Sequence, residues 1–295
     1  MPGADWLATA VRLGAQVDTL AAVAAYARLH TDGAPADPAV GELLSAITAE
    51  VVGPGSEDVD PAVAAQVIGL ARAFLRQALE LIDNPGRRGG WELVDVPLLQ
   101  SIGRLSMGIA EAIAAFERVV PEFADRLAAP GARLLDIGTG TGWLAIALAR
   151  ANPTLQIVGI DIFEPALDLA RTNVDAEGLA DRIELRRQDA VTLDGTDRFD
   201  AIWVPLPFLA RPAVEPVLAA ARRCLRPDGW VLPGIFAGPP GQLGQLLTDV
   251  RTVRSGGHPW PPDEIVRVLT ATGFADGQEV PRTWSAPVRL FAGRA

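Results

Sequence analysis

Apolar side chains recur at helical spacing through the first 120 residues, which predicts an all-helical region there. A first helix runs from near Asp5 to His30, and the Gly- and Pro-rich segment after it ends the helix. Asp-Pro pairs at 37–38 and 60–61 supply the N-cap and first-position residues of a second and a third helix. The apolar stripe of the third helix, residues 63–81, suits either packing onto its own core or pairing with a second copy of the chain.

A linker rich in Gly and Pro, NPGRRGG at 84–90, separates these helices from a fourth helix that ends before Pro121. The apolar stripe of the fourth helix consists of Leu98, Ile102, Leu105, Ile109, Ile113 and Phe116. Gln100, Arg104 and Glu111 share the opposite, polar face, which is typical of a helix with one side in solvent.

From residue 132 the pattern changes to short β-rich runs that alternate with helical segments. The strand-like runs are ARLLDIG, LQIVGID, RIELRRQ, FDAIWVP, GWVLPGIF and PVRLFAGR. Helices are predicted to begin near Gly142, Pro165, Pro212 and Gly241. Because strands and helices alternate at this spacing, we expect an α/β fold with a doubly wound, mostly parallel sheet covered on both faces.

Composition restricts the chemistry that the 295 residues can perform. The formal charge of −10 and the isoelectric point of 4.8 argue against a nucleic-acid partner or an anionic membrane surface. All 26 basic side chains are arginine, so Schiff-base chemistry on a lysine is excluded. With two histidines and one cysteine, Cys224, the chain cannot form an intrachain disulfide or a metal site built on several histidines or cysteines.

The sequence also gives an expectation about location. Its first residues contain no basic start followed by an apolar segment, so no secretory signal is predicted. No apolar run reaches the ~18 to 20 residues that a membrane span requires. We therefore expect a cytoplasmic protein without a membrane partner.

The segment LLDIGTGTGWLAIALAR at 134–150 carries the main candidate chemistry. A buried strand ends at Asp136, glycines follow at 138, 140 and 142, and a helix begins immediately afterwards. Glycines in such a turn let the backbone approach a ligand closely, and the helix N-terminus presents free amide groups. A dinucleotide fingerprint requires glycine at position 143, where this chain has Trp143, so an NAD-dependent oxidoreductase is disfavoured.

The spacing D-x-G-x-G-x-G resembles motif I of class I S-adenosylmethionine-dependent methyltransferases. Four later segments resemble the same family in the same order: the strand ending at Asp161, the Gln188-Asp189-Ala190 loop, the strand FDAIWVP and the turn LRPDGWVLPG. Five matches in register between residues 132 and 236 are specific together. The chain also resembles bacterial natural-product methyltransferases that carry a helical cap before the catalytic core.

This resemblance implies a Rossmann-like, seven-stranded sheet of order 3-2-1-4-5-7-6 preceded by an all-helical N-terminal domain. It implies three parts of the chain. Residues 1–90 form a helical cap or dimerisation domain, residues 91–130 form connecting helices over the cofactor site, and residues 131–295 form the methyltransferase core.

By the same resemblance, S-adenosylmethionine lies at the carboxyl ends of the first two strands. Asp136 is expected to hold the glycine turn, Asp161 to bind the ribose hydroxyls and Asp189 to contact the adenine. The other implied cofactor contacts are Gly138, Thr139, Gly140, Ile162 and Ala190. If the connecting helices pass over the cofactor, Arg104 would pair with the methionine carboxylate; a solvated polar face is the alternative for this residue.

The segment after the fourth strand, VPLP at 204–207, is informative about the acceptor. It is not NPPY-like, it has no neighbouring Asp-Asn pair for a divalent ion, and no histidine base follows it before Pro212. We therefore expect a metal-independent enzyme. Trp203, Pro205 and Phe208 are the candidate walls of an apolar acceptor pocket, although such large side chains would equally suit packing at the sheet edge.

Tyr26 and His30 are the candidate groups for positioning or deprotonating the acceptor. They lie at i and i+4 on the first helix and therefore share a face. The alternative is a histidine stabilised by the helix dipole beside a core tyrosine. His258, in the loop SGGHPWPPDE, is a less favoured catalytic candidate.

The sequence thus predicts transfer of a methyl group from S-adenosylmethionine to a small organic acceptor in specialised metabolism, with S-adenosylhomocysteine as the product. The acceptor atom is nitrogen, aromatic carbon or oxygen, because an in-line displacement at the sulfonium methyl requires mainly proximity and orientation. The alternative is a protein of this fold that binds the cofactor but catalyses a non-methylating reaction or serves as a partner subunit. A homodimer is a further expectation.

Overall fold

The computed structural model describes residues 5–33, 36–90 and 95–295. Residues 1–4, residues 34 and 35 of the first predicted turn, and residues 91–94 at the start of the predicted connecting segment lie outside the described residues. The chain divides into two compact units, Met1–Pro85 and Gly86–Ala295. The boundary falls inside the NPGRRGG segment.

The first unit is helical, as its apolar spacing predicts. Its described helices are α1 (Trp6–Asp32), α2 (Pro38–Val52) and α3 (Pro61–Asp83). The Asp5 side chain caps α1 by accepting from the Ala8 amide at 2.9 Å, and Asp37 caps α2 in the same way. α1 ends at Gly33, which has the left-handed φ of 59° that glycine adopts without strain. α1 packs against both α2 and α3.

The second unit alternates strands and helices. Its described helices are α4 (Val96–Leu105), α5 (Met107–Val119), α6 (Pro121–Ala128), α7 (Trp143–Ala151), α8 (Glu164–Ala176), α9 (Arg211–Cys224), α10 (Gln242–Arg254) and α11 (Pro262–Ala271). Its described strands are β1 (Arg133–Ile137), β2 (Gln156–Asp161), β3 (Ile183–Arg187), β4 (Phe199–Pro205), β5 (Leu225–Phe236), β6 (Ala275–Glu279) and β7 (Val288–Arg294).

These strands form one seven-stranded sheet of order β3-β2-β1-β4-β5-β7-β6, which confirms the predicted fold class and strand order. β1 to β5 pair in parallel, and β7 pairs antiparallel with both β5 and β6. Buried side chains form one cluster with α5, α6 and α7 and a second cluster with α9 and α11. Both faces of the sheet are therefore covered, so the carboxyl ends of β1 to β5 are the edge at which a ligand can bind.

The single fourth helix predicted through residues 98–116 is wrong, because the structure divides it into α4 and α5 at Ser106. The Ser106 amide and hydroxyl both donate to the carbonyl oxygen of Gly103, at 2.9 and 2.6 Å. The Gly103 carbonyl therefore accepts from residue i+3 and not from residue i+4, as it would in an α-helix. This tighter turn ends α4.

Among the described α-helices and strands, α6, α11 and β6 have no counterpart in the predicted runs. β6 is mostly exposed and consists of the residues ADGQE, which have low β-propensity. Its place is fixed by pairing with β7 at the sheet edge. An element that depends on tertiary pairing leaves little trace in local hydrophobic spacing.

Candidate functional site

The glycine turn after β1 has the conformation that its sequence requires. Gly138, Gly140 and Gly142 have φ values of 65°, 55° and 81°, a region that residues with a Cβ rarely adopt. The amide of Thr139 donates to the carbonyl of Ile160 in β2 at 3.0 Å, which fixes the turn against the next strand. The backbone thus reverses tightly between the end of β1 and the start of α7.

Asp136 lies beneath this turn. Its side chain is buried, and one carboxylate oxygen, Oδ2, accepts a hydrogen bond from the Thr139 hydroxyl at 2.8 Å. Burial raises the pKa of Asp136 to about 7; the Thr139 hydrogen bond opposes this shift, and the negative charge of Asp161 adds to it. Asp136 therefore has a structural function at the base of the turn.

Asp161 joins the turn to the end of β2. Its Oδ2 accepts from the Gly140 amide at 2.8 Å, and its Oδ1 accepts from the Phe163 amide at 2.9 Å. Burial raises the pKa of this carboxyl, while the amide hydrogen bonds lower it. The structure therefore places an acidic side chain directly beside the glycine turn, where the sequence predicts the ribose contact.

The strand order brings the third predicted segment to the same edge. The Gln188 amide donates to the carbonyl of Asp161 at 3.0 Å, so the loop after β3 adjoins the end of β2. Asp189 is exposed and caps a short 3₁₀ helix, Ala190–Thr192, by accepting from the Val191 amide at 3.0 Å. Ala190 is buried, and Ile162 is 65% exposed.

Gly159 and Gln100 are residues at this site that the sequence interpretation missed. A Cβ on Gly159 would lie 2.8 Å from the Thr139 hydroxyl oxygen, so β2 must have glycine where it passes the turn. A glycine inside a strand is the signal for such a close approach.

Gln100 holds α4 against the start of α7. Its Oε1 accepts from the indole N–H of Trp143 at 2.8 Å and from the Asn173 amide group at 3.1 Å, and its Nε2 donates to Asn173 Oδ1 at 3.0 Å. Asn173 also donates to the carbonyl of Thr141 in the turn at 2.8 Å. The interpretation of Gln100 as part of a solvated face is therefore wrong.

Arg104 lies one helical turn from Gln100 on α4. Its side chain is exposed, and the guanidinium carbon lies 4.3 Å from the centroid of the Trp143 ring, a cation–π contact. Trp143 occupies the position at which a dinucleotide fingerprint has its third glycine. Its indole N–H thus anchors Gln100, and its ring supports the Arg104 guanidinium.

The three predicted pocket residues occupy different environments. Trp203 is buried in the core cluster, where its ring covers the face of Gly234 in β5. Pro205 ends β4 beside the glycine turn: its Cγ would lie 3.1 Å from a Cβ on Gly138. Phe208 is 39% exposed, and its ring packs edge-on against Phe236 with centroids 5.8 Å apart.

A cavity of about 330 Å³ opens beyond the carboxyl end of β5. Phe236, Thr248 and Asp249 line it from β5 and α10, and His258 and Trp260 line it from the following loop. We call it the β5 cavity. Since Phe236 packs against Phe208, which closely follows Pro205, the β5 cavity and the glycine turn lie along one edge of the sheet.

Tyr26 and His30 are adjacent in the first unit, as their i, i+4 spacing predicts. Their ring centroids lie 4.2 Å apart, and His30 Nδ1 lies 3.0 Å from the carbonyl oxygen of Tyr26. A carbonyl only accepts, so Nδ1 carries a proton and donates this hydrogen bond.

In the parts of the chain that the structure covers, His, Cys, Asp and Glu do not gather in groups of three or more suited to a metal ion. Within the same ranges, no helix combines the length and the hydropathy of a membrane-spanning segment.

Comparison with known proteins identifies the domain. Residues 134–229 match the family described as "Methyltransferase domain". The chain is 32% identical over 150 residues to the release factor glutamine methyltransferase of Rhodopirellula baltica, covering 50% of this chain and 48% of that protein. It is 34% identical over 150 residues to the 27-O-demethylrifamycin SV methyltransferase of Amycolatopsis mediterranei, covering 49% and 54%. The chain thus spans about half the length of these relatives.

Among solved structures, human N-acetylserotonin methyltransferase in complex with SAM is similar in fold. The TM-score is 0.63 at 17% identity, covering 100% of this chain and 99% of that one. The predicted resemblance to methyltransferases is confirmed for the fold and for the domain that residues 134–229 match. Residues 134–229 in the second unit of this chain therefore match a methyltransferase domain.

Proposed function

We propose that this protein transfers a methyl group from S-adenosylmethionine to a small organic acceptor without a metal ion. The observation that carries the proposal is the hydrogen bond from the Gly140 amide to Asp161, at 2.8 Å. It joins a ligand-accessible glycine turn to a carboxylate at the end of the neighbouring strand. This is the arrangement that an open α/β sheet uses to bind a nucleoside at its carboxyl edge.

The residues of the turn fit such a cofactor. A Cβ on Gly140 would meet nothing closer than a backbone oxygen at 4.0 Å, so the space beside this glycine is open to a ligand. Asp161 has a second lone pair on each oxygen for ribose hydroxyls, and Asp189 is exposed at the adjoining loop. We assign Gly138 and Gly140 to the methionine part, Asp161 and Ile162 to the ribose, and Asp189 and Ala190 to the adenine.

S-adenosylmethionine supplies an electrophilic sulfonium methyl when it is bound. Transfer of that methyl to an acceptor nitrogen, oxygen or ring carbon would leave S-adenosylhomocysteine and would release a proton from the acceptor. The chain contributes orientation above all. Tyr26 and His30 stay our candidates, from the sequence, for positioning the acceptor or removing the proton.

We assign the acceptor to the β5 cavity. Its volume is at the lower end of the range of small-molecule sites, and Phe236 and Trp260 provide flat apolar walls. Phe208 packs against Phe236 and so supports this wall of the cavity. The similarity to a rifamycin-modifying methyltransferase supports an acceptor from specialised metabolism.

We also propose that the chain forms a homodimer through α2. Val40, Leu43, Ile47 and Val51 follow one another at helical spacing on α2 and are between 38% and 65% exposed. A contiguous apolar stripe of this kind is more typical of an interface than of a solvated face. We propose that a second copy of the chain covers it.

Calorimetric titration tests the cofactor assignment. We expect S-adenosylmethionine and S-adenosylhomocysteine to bind the wild-type chain, NAD not to bind, and Asp161→Asn to weaken both sulfur nucleotides at least tenfold. Asp168→Asn is the matched control, because Asp168 is an exposed carboxylate on α8. Binding of NAD alone would overturn the proposal.

Product analysis then tests methyl transfer. Acceptor compounds should gain 14 daltons in step with formation of S-adenosylhomocysteine. Cofactor binding without transfer to any acceptor would favour a non-methylating reaction or a partner subunit instead.

A further inference from the structure

His258 belongs to a cluster of side chains that the proposed reaction has not yet used. We infer that His258 binds an acceptor oxygen in the β5 cavity by donating from its Nδ1–H, and that Arg211 is the positioning residue that fixes this tautomer. The ligand class that fits is an aromatic molecule with a carbonyl or phenolic oxygen. This inference rests on the proposed methyl transfer, because it names the substrate class of the same site.

The tautomer follows from the partner of His258. Arg211 Nη1 lies 2.6 Å from His258 Nε2. A guanidinium group has five N–H donors and no lone pair, so Nε2 must be the acceptor in this hydrogen bond. An imidazole that accepts at Nε2 carries its single proton on Nδ1.

Arg211 is itself held in place by other elements. Its Nη2 donates to Glu264 Oε1 in α11 at 2.6 Å, and its guanidinium carbon lies 5.0 Å from the centroid of the Trp260 ring. The His258 ring meets the same indole edge-on, with centroids 5.0 Å apart. Residues from α9, α11 and the loop between α10 and α11 therefore fix the orientation of the imidazole together.

The loop that carries His258 is also fixed against the end of β4. The backbone of Gly257 lies so close to the carbonyl of Pro207 that a Cβ there would overlap it. Pro207 belongs to the 3₁₀ helix Leu206–Phe208, which directly follows β4. His258 is therefore held near the same sheet edge as the glycine turn.

Two donors in this cluster have no acceptor among the described residues. Among the described residues, His258 makes no hydrogen bond other than the one with Arg211. The indole N–H of Trp260 is buried, and the part of the chain that the structure describes offers it no partner. Since His258 lines the cavity and its Nδ1–H has no acceptor among the described residues, a ligand with oxygen lone pairs would be favoured. The walls formed by Phe236 and Trp260 favour an aromatic ring.

The tautomer is tested first, by NMR of protein labelled with ¹⁵N in histidine. The chain has only two histidines, so His258→Asn assigns both sets of signals. We expect His258 to be protonated at Nδ1 and not at Nε2. Arg211→Ala should give a mixture of tautomers, whereas Arg223→Ala, an exposed arginine on the same helix, should not. Protonation at Nε2 in the wild type, or no change in Arg211→Ala, would overturn the inference.

Substrate binding is tested with two substitutions that differ in the nitrogen they replace. The amide of His258→Asn can stand in for Nδ1, and that of His258→Gln for Nε2. With labelled S-adenosylmethionine and hydroxy- or keto-substituted aromatic acceptors, we expect KM within about threefold of wild type for His258→Asn. We expect KM to increase at least tenfold for His258→Gln, because this variant loses the hydrogen bond from the Nδ1 position to the oxygen of the acceptor.

Equal KM values for the two variants would overturn the inference. Affinity for S-adenosylhomocysteine, measured in parallel, should be unchanged in both. If no compound in the set is methylated, the same compounds are added to the labelled wild-type protein, and unchanged His258 signals would overturn the inference. Failure of the proposed function is distinct, because it would show as loss of cofactor binding while the NMR result stood.

Discussion

The Gly140 amide donates a hydrogen bond to Asp161 Oδ2 across 2.8 Å, so the turn after β1 and the end of β2 form one structure. The other oxygen of the same carboxylate accepts from the Phe163 amide, which fixes the start of the segment leading to α8. Asp161 therefore shapes the turn, and in the function that we propose its remaining lone pairs bind the ribose hydroxyls. Substitution by asparagine removes the charge and keeps an oxygen acceptor, which makes it a milder test than alanine.

Arg104→Ala should weaken S-adenosylmethionine about tenfold, if the guanidinium pairs with the methionine carboxylate. The structure supports this assignment by placing Arg104 over Trp143 at the start of α7. Calorimetry with methylthioadenosine provides the control, because that nucleoside has no carboxylate and should bind wild type and variant equally. Equal affinity of both proteins for S-adenosylmethionine would remove the assignment.

Gln100→Leu should lower the melting temperature by several degrees. The substitution leaves the Trp143 N–H and the Asn173 side chain without their partner, which costs about 2 to 3 kcal/mol, and a domain of this size loses roughly 2 to 4 °C per kcal/mol. Glu111→Ala is the control: Glu111 is exposed on α5, so its loss should change the melting temperature by less than about 2 °C. Equal melting temperatures for the two variants would contradict the structural role of Gln100.

The parts of this fold that are encoded locally could be predicted from the sequence. The Asp-Pro pair at 37–38 and the glycines of the turn act within a few residues of their own position, and the structure shows the expected cap and turn. The strand order was implied by the family resemblance and not by the hydrophobic pattern. The division at Ser106 was missed because an apolar stripe continues across a tight turn of only one residue.

The site residues that were missed depend on contacts between distant segments. Gln100 and Asn173 form a hydrogen bond although they are 73 residues apart in the sequence. Arg211 and His258 do so across 47 residues. No local pattern distinguishes such a side chain from one in solvent. Gly159 is the exception, because a glycine inside a strand is itself a sequence signal.

Leu43→Glu should convert the proposed dimer to single chains. It places a charge in the exposed apolar stripe of α2, where an interface would have to bury it. Ser45→Glu adds the same charge to an exposed position on another face of this helix and should leave the dimer intact. Light scattering at micromolar concentration gives the mass, and one chain for the wild type would contradict the prediction.

Asp136 should make the second unit less stable as the pH rises from about 4 to 7. Its pKa is raised to about 7 in the folded chain by burial, whereas an unfolded aspartate has a pKa of about 3.9. Between these values the folded chain holds a proton that the unfolded chain releases, so unfolding becomes more favourable by up to about 1.4 kcal/mol per pH unit. Below about pH 4 the Asp136 carboxyl is protonated in both the folded and the unfolded chain, so this loss of stability is absent.

The difference between wild type and Asp136→Asn isolates this effect from the other titrating groups. Asparagine can still accept from the Thr139 hydroxyl and cannot ionise. Its stability relative to wild type should therefore rise by up to about 4 kcal/mol between pH 4 and 8. Asp125→Asn, at an exposed position on α6, should show no comparable trend. Urea unfolding followed by tryptophan fluorescence measures the difference, since six of the seven tryptophans lie in the second unit. A constant difference across this range would show that Asp136 stays ionised beneath the turn.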